Sequence, residues 1–281
     1  MTNVAIQNLA KSISKWRNWP GCANPECKGN ALKHAVSKRH FGLSLFEEWF
    51  CGPDCFERGA RRNILDLLSN RQKQEKAPNL RMPLGLLLVS RGILTHEQLK
   101  TALEQQRATG NNFGDVVQEL GFATQQQVTA GVAAQWGCPV FSLGDRPPAV
   151  EVRIPRRLLE LYNMLPVHYT EIGRRLMIGF VSRVPHHLLY TIEQMTSCSA
   201  TPCFITANEY RRCLHTFDLT ATENELVFER DNTPAEIARM VRNYAMQSGA
   251  AQARVGMCKD YLWARVLGRQ EIDLLFHLGT S

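Results

Sequence analysis

Between residues 83 and 135 the hydrophobic pattern is written twice. Leu84 and Leu88, then Leu99 and Leu103, follow helical spacing, and Phe113, Val117, Val128 and Val132 repeat them 29 residues later. The punctuation repeats as well: Gly85/Gly114, Gly92/Gly121, Thr95/Thr124 and Gln106/Gln135 share the same offset. A fixed period over so many positions marks two copies of one supersecondary unit. Within each copy a short apolar helix is stopped by Gly92 or Gly121, since glycine takes the left-handed conformation without strain. Thr95 and Thr124 then stand as N-caps with Gln98 and Gln127 three positions on, the spacing of a capping box. The unit predicted is helix, tight turn, helix, twice over, with Gly110 closing the first copy.

Outside the repeat the pattern changes character. Ile6, Leu9, Ile13 and Trp16 share one face of an amphipathic helix within residues 1–20, which is expected to dock on its own domain. A short apolar strand ending at Phe50 runs into a helix that continues through Ile64, Leu65 and Leu68. Residues 69–82 are polar and read as a linker. After the repeat, a short strand near Val140 leads to a helix opened by Pro155, strands at 164–167 and 176–180, a helix over 187–195 and a strand at 200–205. A last helix is expected to be capped by Asn208 and to run to Phe217. Residues 220–233 are acidic and polar and read as a second linker. A helix begun by Pro234 and three strands at 253–257, 261–267 and 272–278 finish the chain, the last two strands as a hairpin.

The fold class expected is thus α+β and multidomain. Residues 1–77 form a small metal module and 78–217 form the repeat (83–135) packed with a small α/β unit (136–217). Residues 218–233 are a linker and 234–281 a separate αβββ domain. The length of 281 residues accommodates that many units. No apolar run reaches the roughly 18 residues that a membrane helix needs, so a cytoplasmic location is expected.

Charge and cysteine usage sharpen the picture at the N-terminal end. The formal net charge of +7 falls wholly within residues 1–82, which hold 14 Lys and Arg against 7 Asp and Glu. Any anionic partner of the chain's charge is expected there. Cys22 and Cys27 lie in a turn-rich knuckle, and Cys51 and Cys55 lie where a strand meets a helix. One pair on a knuckle and one at a helix start resembles a treble-clef zinc site. Four thiolates complete a tetrahedral, structural zinc with no open position. Buried or reactive thiols are the competing reading of those four, and His34 and His40 are substitute ligands. The helix after Cys55, with Arg58, Arg61, Arg62, Arg71, Lys73 and Lys76, is a solvated face or, alternatively, a nucleic-acid contact.

The duplicated pattern Leu-Gly-x-x-Leu-x-x-x-Gly-x-x-Thr-x-x-Gln-Leu-x-x-Ala-Leu-x-x-Gln resembles the tandem motif of the N-terminal domain of type II secretion and type IV pilus assembly ATPases. Part of that family binds cyclic di-GMP through two such motifs. The resemblance continues through the Ile154-Pro155 helix and the Leu165-Pro166-Val167 strand, and into the αβββ segment, which is similar to the small domain before the motor core. It implies a cyclic di-GMP site at Leu84, Gly85, Leu88, Gln106, Phe113, Gly114, Asp115 and Gln135. The backbone amides and helix N-termini of the two Leu/Phe-Gly turns would face the phosphates, Leu84 and Phe113 would cover the bases, and Asp115 would accept from a guanine edge. Where the family places an arginine before the Leu-Gly pair, this chain has Pro83 and Asn112, so weaker affinity than the family's is expected.

No P-loop pattern and no Gly-Lys pair occurs in the sequence, and no nucleophile, base and orienting group can be named together. The chain is therefore expected to be no enzyme. It reads as a regulatory or docking protein of a secretion or pilus machine that senses cyclic di-GMP. A nucleic-acid-binding regulator acting through the basic metal module, and a purely structural adaptor, are the alternatives.

Overall fold

A computed structural model describes residues 21–29, 34, 42–74, 81–217 and 224–279. The helix expected over 1–20, His40, Lys76, residues 75–80 and residues 220–223 lie outside them. In chain order the elements are β1 (Leu43–Leu45), β2 (Glu48–Phe50) and α1 (Pro53–Gln74), then the repeat helices α2 (Leu84–Ser90), α3 (His96–Thr109), α4 (Phe113–Glu119) and α5 (Gln125–Trp136). There follow α6 (Arg156–Tyr162), β3 (Met164–Thr170), β4 (Arg175–Phe180), α7 (His186–Thr196), β5 (Ser199–Phe204) and α8 (Ala207–Phe217). The last are β6 (Glu225–Phe228), α9 (Pro234–Gln247), β7 (Gln252–Cys258), β8 (Tyr261–Leu267) and β9 (Glu271–His277). They gather into two compact units, one of residues 74–225 and one that joins residues 1–73 to 226–281.

In the 74–225 unit the repeat is built as its sequence dictates. Thr95 and Thr124 both close reciprocal capping boxes with Gln98 and Gln127. Gly92 and Gly121 both sit at φ 69°, where a Cβ would be strained. The copies interlock rather than stack. A Cβ on Gly85 would lie 3.0 Å from the Phe113 ring, one on Gly114 would lie 4.0 Å from Leu84, and one on Gly131 would meet Leu88 at 2.8 Å. Each copy thus inserts its leading apolar side chain over the other copy's helix pair, and the small residues allow that approach. Leu88, Ala102, Val116 and Val117 are fully buried in the resulting core.

Against the repeat lies the small α/β layer. Its sheet runs β3-β4-β5, with β3 antiparallel and β5 parallel to β4. The pairing slips between Pro166 and His168 on the edge strand β3, where proline has no N–H to give a ladder. The strand expected near Val140 is reduced to a single parallel bridge to Phe204. α8 is capped by Thr206 rather than Asn208: the Glu209 N–H donates to the Thr206 hydroxyl at 3.2 Å, and the Thr206 N–H donates back to the Glu209 carboxylate at 3.0 Å. Burial raises the Glu209 pKa, and bonds from the Thr206 hydroxyl and N–H, the Leu143 N–H and the Ser142 hydroxyl outweigh it, so the net shift is downward. A carboxylate pKa lowered by folding contributes stability above its unfolded value and loses it as pH falls through the folded value. Glu209→Gln is accordingly expected to lower the melting temperature of this unit near neutrality, by about 1–3 kcal/mol in stability. In acid, below the ordinary carboxylate range, the deficit should vanish. A pH series of thermal melts on both proteins checks this.

The other unit departs from the expected division. Ser44 and Leu45 of β1 pair in parallel with Gln252 and Ala253 of β7, giving one six-stranded sheet in the order β2-β1-β7-β8-β9-β6. The expected metal module and the expected αβββ domain are therefore one folding unit. Leu43, Leu45, Phe50, Phe56 and Ile64 share a core with Ile237, Val241, Val255, Leu262, Leu274 and Phe276. A three-residue strand has no stability of its own, and β1 is held by this sheet. Two expected linkers are also partly structured. α1 runs on to Gln74, and residues 225–228 form β6, beside β9, where Phe228 stacks on Phe276 at 4.8 Å. The helix α9 begins at Pro234 as expected, behind a Thr233–Glu236 capping box.

Candidate functional site

Two sites stand out, one in each unit. The first is the cysteine cluster. Cys22 and Cys27 sit in a turn fixed by the Ala23 N–H donating to Trp49 O at 2.8 Å and the Cys27 N–H to Asn24 O at 3.0 Å. Cys51 follows β2, and Cys55 lies in the first turn of α1. All four Sγ atoms lie within 4.8 Å of one another. Cys27 and Cys51 are 3.5 Å apart and Cys51 and Cys55 3.8 Å, close to the ~3.8 Å edge of a tetrahedral ZnS4 group with bonds of about 2.3 Å. The residues therefore fit a four-coordinate metal.

Thiolate charge has donors in place. The Gly29 N–H donates to Cys27 Sγ and the Asn24 amide to Cys55 Sγ, each at 3.3 Å. His34 Nε2 stands 3.4 Å from Cys27 Sγ. Burial opposes ionisation of Cys27, and the Gly29 N–H, His34 and the neighbouring thiols overcome it, bringing its pKa down to about 6. Burial pushes the Cys51 and Cys55 thiols up. Of the basic helix, Arg58 pairs with Glu26 at 3.0 Å and Arg62 with Glu48 at 3.2 Å. Both arginines are thus matched by carboxylates from the knuckle and β2, while the side chains of Arg71 and Lys73 lie outside the described residues.

The second site is a cleft of about 360 Å³ in the 74–225 unit. One wall comes from the second copy of the repeat: Asn112, Phe113, Gly114, Asp115 and Gln118 of α4 and its cap, and Gln125, Val128, Thr129, Val132 and Gln135 of α5. Leu84 reaches in from the first copy. The facing wall is Asn163, Val181, Ser182, Ala207, Tyr210 and Arg211. Of the eight residues that the motif singles out, the fold brings five together here: Leu84, Phe113, Gly114, Asp115 and Gln135. Gly85 and Leu88 are buried between helices, and Gln106 donates to Asn111 O at 3.2 Å in the spacer. None of these three lines the cleft. The copies interlock at this point, with Leu99 and the Phe113 ring both packed over Gly85. The facing wall was not foreseen, because its residues belong to the α/β layer and carry no repeat signal.

Chemically the cleft is mixed. Leu84, Phe113, Val128, Val132 and Val181 offer apolar surface. Asp115 offers a carboxylate, and the Asn112 side chain donates to its Oδ2 at 3.4 Å. Gln135 is oriented by donating to Met82 O at 2.6 Å. Apolar surface beside a small number of placed polar groups is the usual content of a small-molecule site. Among the described residues, no helix is long and apolar enough to cross a membrane.

No family model matches the chain. Type IV pilus assembly ATPase PilB of Thermus thermophilus is 24% identical over 121 residues, which is 42% of this chain and 14% of that protein. PilB of Myxococcus xanthus is 27% identical over 88 residues, 30% of this chain and 15% of that protein. Among solved structures, MshE with cdg aligns over 49% of this chain and 99% of that one, at 23% identity and a TM-score of 0.42. The N-terminal domain of XpsE aligns over 47% of this chain and 91% of that one, at 18% identity and a TM-score of 0.37. The chain spans about one seventh of the pilus ATPases it matches. In sequence the chain is similar, over part of its length, to the type IV pilus assembly ATPases.

Proposed function

We propose that this chain is a non-enzymatic regulatory or docking protein of a pilus or secretion machine, acting in the cytoplasm, and that its cleft binds cyclic di-GMP. The cleft carries the proposal. Five motif residues converge there, with apolar side chains to lie against a base and the Asp115 carboxylate to accept from a guanine edge. The relationship to pilus ATPases supports the choice of machine. In the other unit we assign zinc to the four cysteines as a structural ion, on the spacing of their sulfurs. Its role there is to hold the knuckle to β2 and α1, with no open position for chemistry.

Calorimetric titration of the purified chain with cyclic di-GMP tests the reading. Binding is expected with micromolar or weaker affinity, weakened by Asp115→Ala about five- to twentyfold through the lost carboxylate bonds. No heat up to millimolar dinucleotide contradicts the proposal.

A further inference from the structure

The cleft has a polarity that the motif residues alone do not supply. On the repeat side its one ionisable group is Asp115, flanked by amides and a hydroxyl. A phosphate on a bound nucleotide would find no cationic side chain on that wall. The opposite wall carries Arg211, on α8, and it is the one cationic side chain among the described lining residues. Its Nη1 donates to Asn208 Oδ1 at 3.1 Å, one turn back on the same helix. The neighbouring Arg212 is engaged elsewhere: it donates to Gly144 O and stands 3.8 Å from Asp145. Two consecutive arginines on α8 thus have different duties, one fastening the 144–145 loop and one facing the cleft.

We propose that Arg211 is the phosphate-binding residue of this cleft. The inference rests on the nucleotide reading above and specifies its geometry: the base lies against Phe113 and Asp115 on the repeat wall, and the phosphate faces α8. A planar guanidinium presents paired donors that match phosphate oxygens, which an ammonium cannot reproduce. The ligand class that fits both ends is a purine nucleotide with donors on its base edge and an anionic phosphate.

Titrations of the full chain with cyclic di-GMP and with guanosine, for wild type, Arg211→Ala and Arg211→Lys, separate the two claims. Arg211→Ala is expected to weaken cyclic di-GMP about ten- to hundredfold, while guanosine, which has no phosphate, changes by less than about twofold. Arg211→Lys should fall between, and wild-type affinity should drop with added salt. Arg211 is exposed, so circular dichroism of both variants should match the wild type. If wild type binds the dinucleotide and Arg211→Ala binds it equally well, or loses guanosine to the same degree, the assignment is overturned and the cleft reading stands. Wild type binding neither compound overturns both.

Discussion

Stripping the zinc proposed for the cysteine cluster is expected to unfold the unit of residues 1–73 and 226–281 while leaving residues 81–217 folded. The cysteine cluster ties the knuckle to the strand end and helix start that carry Phe50 and Phe56, both fully buried in the shared core. Structural zinc contributes about 10–16 kcal/mol in small modules, comparable with the whole stability of an ordinary domain. Without it the knuckle is no longer tied to β2 and α1, and β1, a three-residue strand, keeps only its short pairing with β7 and the burial of Leu43 and Leu45. Metal analysis should return one zinc per chain. Calorimetry after chelation, or on Cys51→Ser, should then show one of two melting transitions lost. A chain that binds no metal, or whose two transitions both survive, contradicts the assignment.

The second large effect is expected at Asp273, opposite Arg265 in the β8–β9 hairpin. Arg265 donates to Asp273 Oδ1 from Nε at 2.7 Å and to Oδ2 from Nη2 at 2.9 Å, and the Trp263 indole donates to Oδ1 at 2.8 Å. Asp273 is 0% exposed and Arg265 3%. Asp273→Ala removes the acceptor of two guanidinium bonds and of the indole N–H in a buried setting and leaves Arg265 with the more distant Glu271 carboxylate at 4.0 Å, which costs about 3–5 kcal/mol. The melting temperature of this unit should fall by about 10 °C or more. Asp273→Leu paired with Arg265→Met should recover most of the loss, since a well-packed apolar pair replaces a buried ion pair at little cost. Equal melting of wild type and Asp273→Ala would show that the pair contributes little.

How much of this was legible beforehand depended on how far apart the interacting residues lie. The caps at Thr95 and Thr124 are bonds between residues three apart, so the spacing with Gln98 and Gln127 was enough. The cysteine pairs were legible because metal ligands cluster in short motifs and the fold had only to bring two pairs together. Nothing local announces that Ser44 pairs with Gln252, and the division into separate N- and C-terminal domains failed for that reason. Residues 225–228 looked like linker because their companions, Phe276 and Tyr261, come later; the Tyr261 hydroxyl donates to Glu229 at 3.1 Å. The Arg265–Asp273 pair was readable in principle. A hairpin turning at Gly268 and Arg269 sets those residues opposite each other, and a charge pair in an otherwise apolar hairpin is the signal. In the cleft the repeat wall was visible through its 29-residue period, whereas Arg211 carries no periodic mark and is placed there by α8.

Hydrogen exchange with and without cyclic di-GMP tests the central claim most directly, because it locates the ligand as well as detecting it. Slowed exchange is predicted in residues 112–118 and 125–135 and in the facing segments 181–182 and 207–211, with residues 42–74 and 252–277 unchanged. Protection confined to those latter segments, or no change anywhere at saturating dinucleotide, would contradict the cleft as the site.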